Sequence, residues 1–262
     1  MPLGDSSLPD RCGEGTELRD GVCVSTVERV ECGEGTRLED GTCVSTIAQT
    51  YFVGRFDGRG RAIRNLEVAN PGGIGGLFYI LAQGAVVQNL RLVDVDVVGG
   101  NSVGGLAGRL RGAWVYGVHV TGTINGKDYV GGLVGRLLTG SVETCYATGW
   151  VTGTLDVGGL IGRVLEPTTT IRESYASGAA QRGTTEVFGS LVDASSSYSV
   201  SRSYFLDPES DSAPRGPGTS LRRAEFGREE SFDWDFTRTW KMVGFPDPDF
   251  RRPVLRANPE EP

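Results

Sequence analysis

The phrase "VGGLAGRL" at 103–110 returns as "VGGLVGRL" at 130–137 and "VGGLIGRV" at 157–164. A weaker copy, "GIGGLF", stands at 73–78, and a degenerate one, "VFGSLV", at 187–192. Aligning the phrases puts Leu77, Leu106, Leu133, Leu160 and Leu191 in one column, with spacings of 29, 27, 27 and 31 residues. A fixed period of this size marks units stacked on one another. The competing reading of a glycine-rich phrase is a phosphate cradle. A Walker-type loop needs Lys and Ser/Thr after its last glycine and then a helix, and a dinucleotide fingerprint needs G-x-G-x-x-G opening a helix. Here Arg follows the last glycine, then apolar residues. The glycines read instead as corners, where they allow a positive φ or a close backbone approach, and the leucine between them points to the core.

A second column follows each phrase. It runs through Ile63, Val87, Val115, Val142, Ile171 and Val200, all β-branched. Beyond it the residues alternate: Leu90-Arg91-Leu92, Val118-His119-Val120, Cys145-Tyr146-Ala147, Ser174-Tyr175-Ala176 and Ser203-Tyr204-Phe205. Period two means a strand with one buried face. The columns predict an all-β fold, a parallel β-solenoid of about six coils with strands stacked about 4.8 Å apart. The crossover preference predicts a right-handed coil. The chain divides into a flexible start (1–10), two small hairpin units (11–48), the solenoid (49–206), a C-terminal cap (207–256) and a tail (257–262). Within the cap, 219–226 reads as one short helix with Thr219 or Ser220 as N-cap. Phe232, Trp234, Phe236 and Trp240 read as a lid over the open apolar end.

Composition narrows the function classes. Forty glycines in 262 residues favour turns and strands over helices. The net charge of −7 gives no basic footprint for nucleic acid, and no apolar run is long enough to span a membrane. The start "MPLGDSSLPD" has no signal-peptide pattern, so either export follows another route or a leader precedes this chain. The cysteines favour the second. "CGEGTELRDGVCVST" (12–26) and "CGEGTRLEDGTCVST" (32–46) each carry Asp-Gly between alternating segments, a hairpin signal that brings Cys12 near Cys23 and Cys32 near Cys43. Two local disulfides are expected. Zinc is the alternative, but the usual C-x₂₋₄-C spacing is missing. Disulfides imply an oxidising, extracellular setting.

Together these features resemble the GLUG-motif repeat family, whose phrase appears here as "GLAG" (105–108), "GLVG" (132–135) and "GLIG" (159–162). The opening "GRFDGRGRAIRNL" (54–66) and the closing "SYFLDPESDSAPRGPGTSLRRAEF" also resemble the family, so the likeness covers about 51–256. The first copy departs from it, with Tyr79 where glycine is expected. The resemblance implies a non-catalytic module of bacterial surface or secreted proteins, with no cofactor.

Candidate partner-binding residues fall in two rows. Arg109, Arg136 and Arg163 each follow the last glycine of a phrase, and stacking makes them a ladder that is either solvated and paired with nearby carboxylates or a strip that suits an acidic glycan or protein surface. His119, Tyr146, Tyr175 and Tyr204 make an outward row, which either stabilises the sheet or receives sugar rings or a partner. Cys145 sits in the inner row, pointing away from His119, and reads as core. Asp94, Asp96, Asp128 and Asp156 share no column, which argues against a β-helix lyase or hydrolase. The function expected is a structural or adhesive module of a stalk, fibre or adhesin, with self-association into a fibre as one assembly. The alternative is a glycan- or protein-binding module working through the Arg and Tyr rows.

Overall fold

The computed structural model describes residues 16–19, 22–25, 36–39, 42–45, 51–182, 185–186, 192, 199–207, 217–244 and 251–257. At the N-terminus, Thr16–Arg19 pairs antiparallel with Val22–Ser25, and Thr36–Glu39 with Thr42–Ser45. Cys12 and Cys32 and the side chains of Cys23 and Cys43 lie outside what is described, and the expected disulfides lie there with them. Val44 pairs in parallel with Glu67, so the backbone of the second hairpin continues the sheet of the first coil.

The rest is an all-β parallel solenoid of about five turns, one fewer than the columns suggested. Its central strand, Ala107–Asn125, pairs in parallel with Val86–Gly99 on one side. On the other side it pairs with Val134–Glu143, Tyr146–Ala147 and Trp150–Gly153. Val87, Val115, Val142, Ile171 and Val200 are in register, as are Leu92, Val120, Ala147, Ala176 and Phe205. Leu77, Leu106, Leu133 and Leu160 are fully buried, as the phrase column required. Leu191 lies outside the described residues, but its neighbour Val192 bridges Ile161 in the expected register.

Ile63 does not belong to the column assigned to it. It pairs with Leu92, and Phe56 takes the place beside Val87. The physical reason is that two corners of a coil share one local pattern. "IRNL" and "VQNL" each place a β-branched residue two before a left-handed asparagine, Asn65 at φ 53° and Asn89 at φ 52°, so the first resembles the second although it lies one strand further along.

Of the two roles expected for the phrase glycines, the corners show which applies. Left-handed backbone forms two columns among its other occurrences, and the glycines of the three full phrases are in neither. One column is Asn89, Gly117, Thr144, Glu173 and Arg202, with φ between 48° and 64°; the other is Ser102, Tyr129 and Asp156. The phrase glycines serve close approach instead. A Cβ on Gly135 would stand 2.6 Å from the Ser102 carbonyl carbon of the preceding coil and 2.7 Å from the Tyr129 oxygen.

The C-terminal segment departs from expectation twice. Thr219–Arg222 is a strand, not helix: it adds to the stack beside Tyr204–Asp207. The helix is only Arg223–Phe226, with Arg222 at its N-cap position and the Glu225 carboxylate accepting from the Arg222 N–H at 2.9 Å. A hairpin of Trp240–Gly244 and Arg251–Leu255 follows. Phe226, Trp234 and Trp240 of this segment lie along the flank of the solenoid, over the tyrosine row.

Candidate interaction surfaces

The row Arg91, His119, Tyr146, Tyr175 and Tyr204 is in register as predicted. His119 stacks on Tyr146 with centroids 4.6 Å apart, and Tyr146 on Tyr175 at 4.8 Å with planes 6° apart. The sequence left the row either stabilising the sheet or receiving sugar rings or a partner. In the fold His119, Tyr146, Tyr175 and Tyr204 are all buried. A flat aromatic strip is a large apolar area, and the chain's own Phe226, Trp234 and Trp240 cover it. Two tyrosine hydroxyls join the seam: Tyr175 donates to the Pro253 carbonyl at 2.6 Å, and Tyr204 accepts from the Asp233 N–H at 2.9 Å. Trp234 Nε1 donates to the Arg202 carbonyl at 2.7 Å, and Arg202 also pairs with Glu173 and Asp233.

Burial decides the chemistry of His119. Its pKa is pushed down to about 3, first by desolvation and then by the nearby guanidinium charges of Arg252, Arg91 and Arg64. The imidazole is therefore neutral in the folded protein at physiological pH. The ordinary histidine pKa near 6.5 applies to the unfolded chain. Between those values the unfolded state binds the proton and the folded state does not, so stability falls as pH drops from about 6.5 towards 3. Each pH unit in that window costs at most about 1.4 kcal/mol from this residue. His119→Gln should lose less stability than the parent over pH 6.5 to 3 in urea titrations; parallel curves would show that His119 does not carry the difference.

Cys145 is buried, and desolvation pushes its thiol up to about 12. It is more than core filling. Its Sγ donates to the Glu143 carbonyl at 3.1 Å and accepts from the Val118 N–H of the preceding coil at 3.5 Å. Ser174 Oγ does the same, donating to the Arg172 carbonyl and accepting from the Cys145 N–H, and Ser203 Oγ repeats the pattern with Ser201 and Ser174. These three side chains form a ladder beside the left-handed corner, where strand pairing is interrupted. The sequence signal was in view, since Cys145, Ser174 and Ser203 share a column. Their polarity at an inward position was the clue.

Arg109, Arg136 and Arg163 do form a ladder on successive coils and are half-buried. Each reaches the left-handed residue seven positions earlier. Arg109 Nε donates to Ser102 Oγ at 3.2 Å, the Arg136 guanidinium lies 5.1 Å from the Tyr129 ring centre, and Arg163 pairs with Asp156 at 2.5 Å. Arg163 also lies 5.6 Å from the same Tyr129 ring. The strip is thus pinned to its own corner, and Asp156 offsets its charge at one end. Asp128 aligns with Leu155, and Asp96 with Thr123, so the aspartates share no column.

A surface not picked out from the sequence lies on the strand face after Gly112. Trp114 is 65% exposed and Tyr116 47% exposed, on the same side of one strand. The signal was the alternation in "AWVYG", where buried Ala113 and Val115 leave the two aromatics outward.

The family described as the GLUG motif matches residues 128–152. Over 78 residues the chain is 38% identical to halomucin of Haloquadratum walsbyi (strain DSM 16790 / HBSQ001), which is 29% of this chain and 1% of that protein. The chain therefore spans a very small part of the curated relative it matches. Among solved structures it is similar to a Bacteroides ovatus protein provisionally assigned as an immunoglobulin A1 protease, with 19% identity, a TM-score of 0.51 and 77% of each chain covered. At that identity the likeness is one of fold. A GLUG-motif β-solenoid fits a structural repeat module.

Proposed function

We propose that this chain is a non-catalytic structural and adhesive module of an extracellular or cell-surface protein, a length of stalk, fibre or adhesin. One observation carries the reading: the side chains with chemical potential are used to join coil to coil. His119 is buried and neutral within an aromatic stack, and Cys145 is a buried thiol held in a Cys/Ser ladder with its pKa near 12. A general base needs a pKa near working pH and access to substrate, and a nucleophilic cysteine needs a lowered pKa. Both residues are shifted the wrong way. The partial likeness to halomucin and the GLUG match support the surface setting.

Beads coated with the protein should adhere to an epithelial or bacterial cell layer above albumin-coated beads. Immunoglobulin A1 incubated with it should stay intact, despite the fold likeness to an assigned protease. A discrete antibody fragment would overturn the non-catalytic half of the reading, and adhesion no better than albumin the adhesive half. The Arg109, Arg136 and Arg163 strip favours a second reading, a site for acidic glycan or an acidic protein surface. The three residues stand half-buried in a regular row.

A further inference from the structure

The face carrying Trp114 and Tyr116 is built from two outward columns. Trp114 has Val86 before it and Ser141 after it, then Thr170 and Ser199. Tyr116 has Gln88 and Glu143 beside it, then Arg172 and Ser201. The aromatics therefore occur in one coil only. This separates them from the buried tyrosine row, where each ring stacks on a like ring in the next coil and the stack itself stabilises the sheet. Trp114 has no aromatic register neighbour to stack on, so sheet stability does not account for an exposed tryptophan there.

The surroundings of the pair are polar and balanced in charge. Towards the N-terminal end, Arg55 donates to Gln88 Oε1 at 3.0 Å, and Gln88 Nε2 donates to Asp57 Oδ2 at 2.7 Å. Asp57 Oδ1 also accepts from Asn89 Nδ2 at 3.1 Å. Towards the C-terminal end, Arg172 pairs with Glu143 at 3.1 Å. Within the two columns the charges fall in opposite pairs, Arg55 near Asp57 and Arg172 with Glu143, so this part of the rim is rich in donors and acceptors yet close to neutral. That matches a ligand that is uncharged, polyhydroxylated and flat on one side. Sugar rings have apolar faces that stack on Trp and Tyr while their hydroxyls reach polar neighbours.

The size of the patch argues in the same direction. Two aromatic side chains bury about 150–250 Å² each even when fully covered. A standard protein interface takes about 800 Å² from each partner. The pair suits an oligosaccharide better than a second copy of this chain. Spacing agrees: residues two apart on a strand are about 6.6 Å apart, so Trp114 and Tyr116 can serve neighbouring rings of one glycan.

We propose that Trp114 and Tyr116 form the stacking platform of a binding site for neutral hexose-based oligosaccharides, with Gln88, Asp57, Glu143 and Arg172 as its hydrogen-bonding rim. This rests on the adhesive reading above and gives that reading a ligand class.

The test is a glycan array carrying neutral glucose, galactose, mannose and N-acetylhexosamine oligosaccharides beside sialylated and sulfated ones. The whole chain should retain neutral glycans. Trp114→Ala and Tyr116→Ala should each weaken binding about tenfold or more, the loss typical of an aromatic hot spot. Trp150→Ala is the control: that exposed tryptophan lies on Trp150–Gly153, past the bends at Gly117 and Gly122. It should bind as the parent does. All three variants should keep the parent's unfolding midpoint.

Three results overturn the proposal: no neutral glycan retained, equal binding by Trp114→Ala, or retention of acidic glycans alone. The last, if lost in Arg136→Ala, moves the site to the arginine strip. Beads of Trp114→Ala that adhere to cells like the parent, with a blank array, sink the glycan site and leave the adhesive module standing. Cleavage of immunoglobulin A1 sinks the non-catalytic reading and leaves array binding intact.

Discussion

Trp240→Ala should destabilise the protein by about 3–5 kcal/mol, the usual cost of emptying a buried tryptophan site. Trp240 is fully buried where the C-terminal hairpin meets the tyrosine row. It stacks on Trp234 with centroids 4.3 Å apart and stands 6.0 Å from both Tyr146 and Tyr175. Its carbonyl also receives Arg256 Nε at 2.8 Å, a contact the substitution leaves in place. The loss should not be uniform along the chain. Solenoid repeats contact mainly their neighbours, so damage to a flanking element is local. Hydrogen exchange should speed up in Trp240–Gly244, Arg251–Leu255 and around Tyr175, while Ala107–Asn125 keeps its protection. A loss below about 1 kcal/mol in urea titration, outside the range for a buried tryptophan, would show that the cap packs loosely. Uniform loss of protection would show that cap and coils unfold as one unit.

The same contrast explains which parts of this molecule were legible in its sequence. Repetition was legible, because every coil solves the same packing problem with the same residue types. Leu106, Leu133 and Leu160 reach the core, and the column from His119 to Tyr204 is in register. What a column faces was not legible, because that depends on chain far away in sequence. An outward tyrosine row looks alike whether solvent, a partner or Phe226, Trp234 and Trp240 lie against it. The C-terminal aromatics were recognised as a lid, yet nothing local says whether a lid closes an end or a flank. The short helix was overextended because "TSLR" pairs with Tyr204–Asp207, and sheet pairing overrode a local N-cap signal. Trp114 and Tyr116 were not legible as a surface because they occur in one coil and no column repeats them.

Gly135→Ala should destabilise the solenoid by about 3 kcal/mol or more, at or beyond the upper end for overpacking, although it adds one methyl group. The reason lies in backbone, which has nowhere to move. The added Cβ would meet the Val103 nitrogen, the Ser102 carbonyl carbon at 2.6 Å and the Tyr129 oxygen at 2.7 Å. Two of those atoms belong to the preceding coil and one to the same coil, so relief at one contact tightens another. The strand that carries Gly135 is bound on both sides, since Val134 pairs with Ala107 and with Ile161. A flexible side chain could swing away; stacked parallel strands at about 4.8 Å spacing cannot. Gly84→Ala is the informative comparison. Gly84 has open space around its Cβ position but a φ of +84°, so its cost should be the smaller one of backbone strain, roughly 1 kcal/mol. Urea titrations of the two variants separate the explanations. If Gly135→Ala costs no more than Gly84→Ala, close approach is not why the phrase carries its last glycine. If it costs several times more, the repeated glycine sets how near one coil can lie to the next. The arginine after it then holds its place because that distance is fixed.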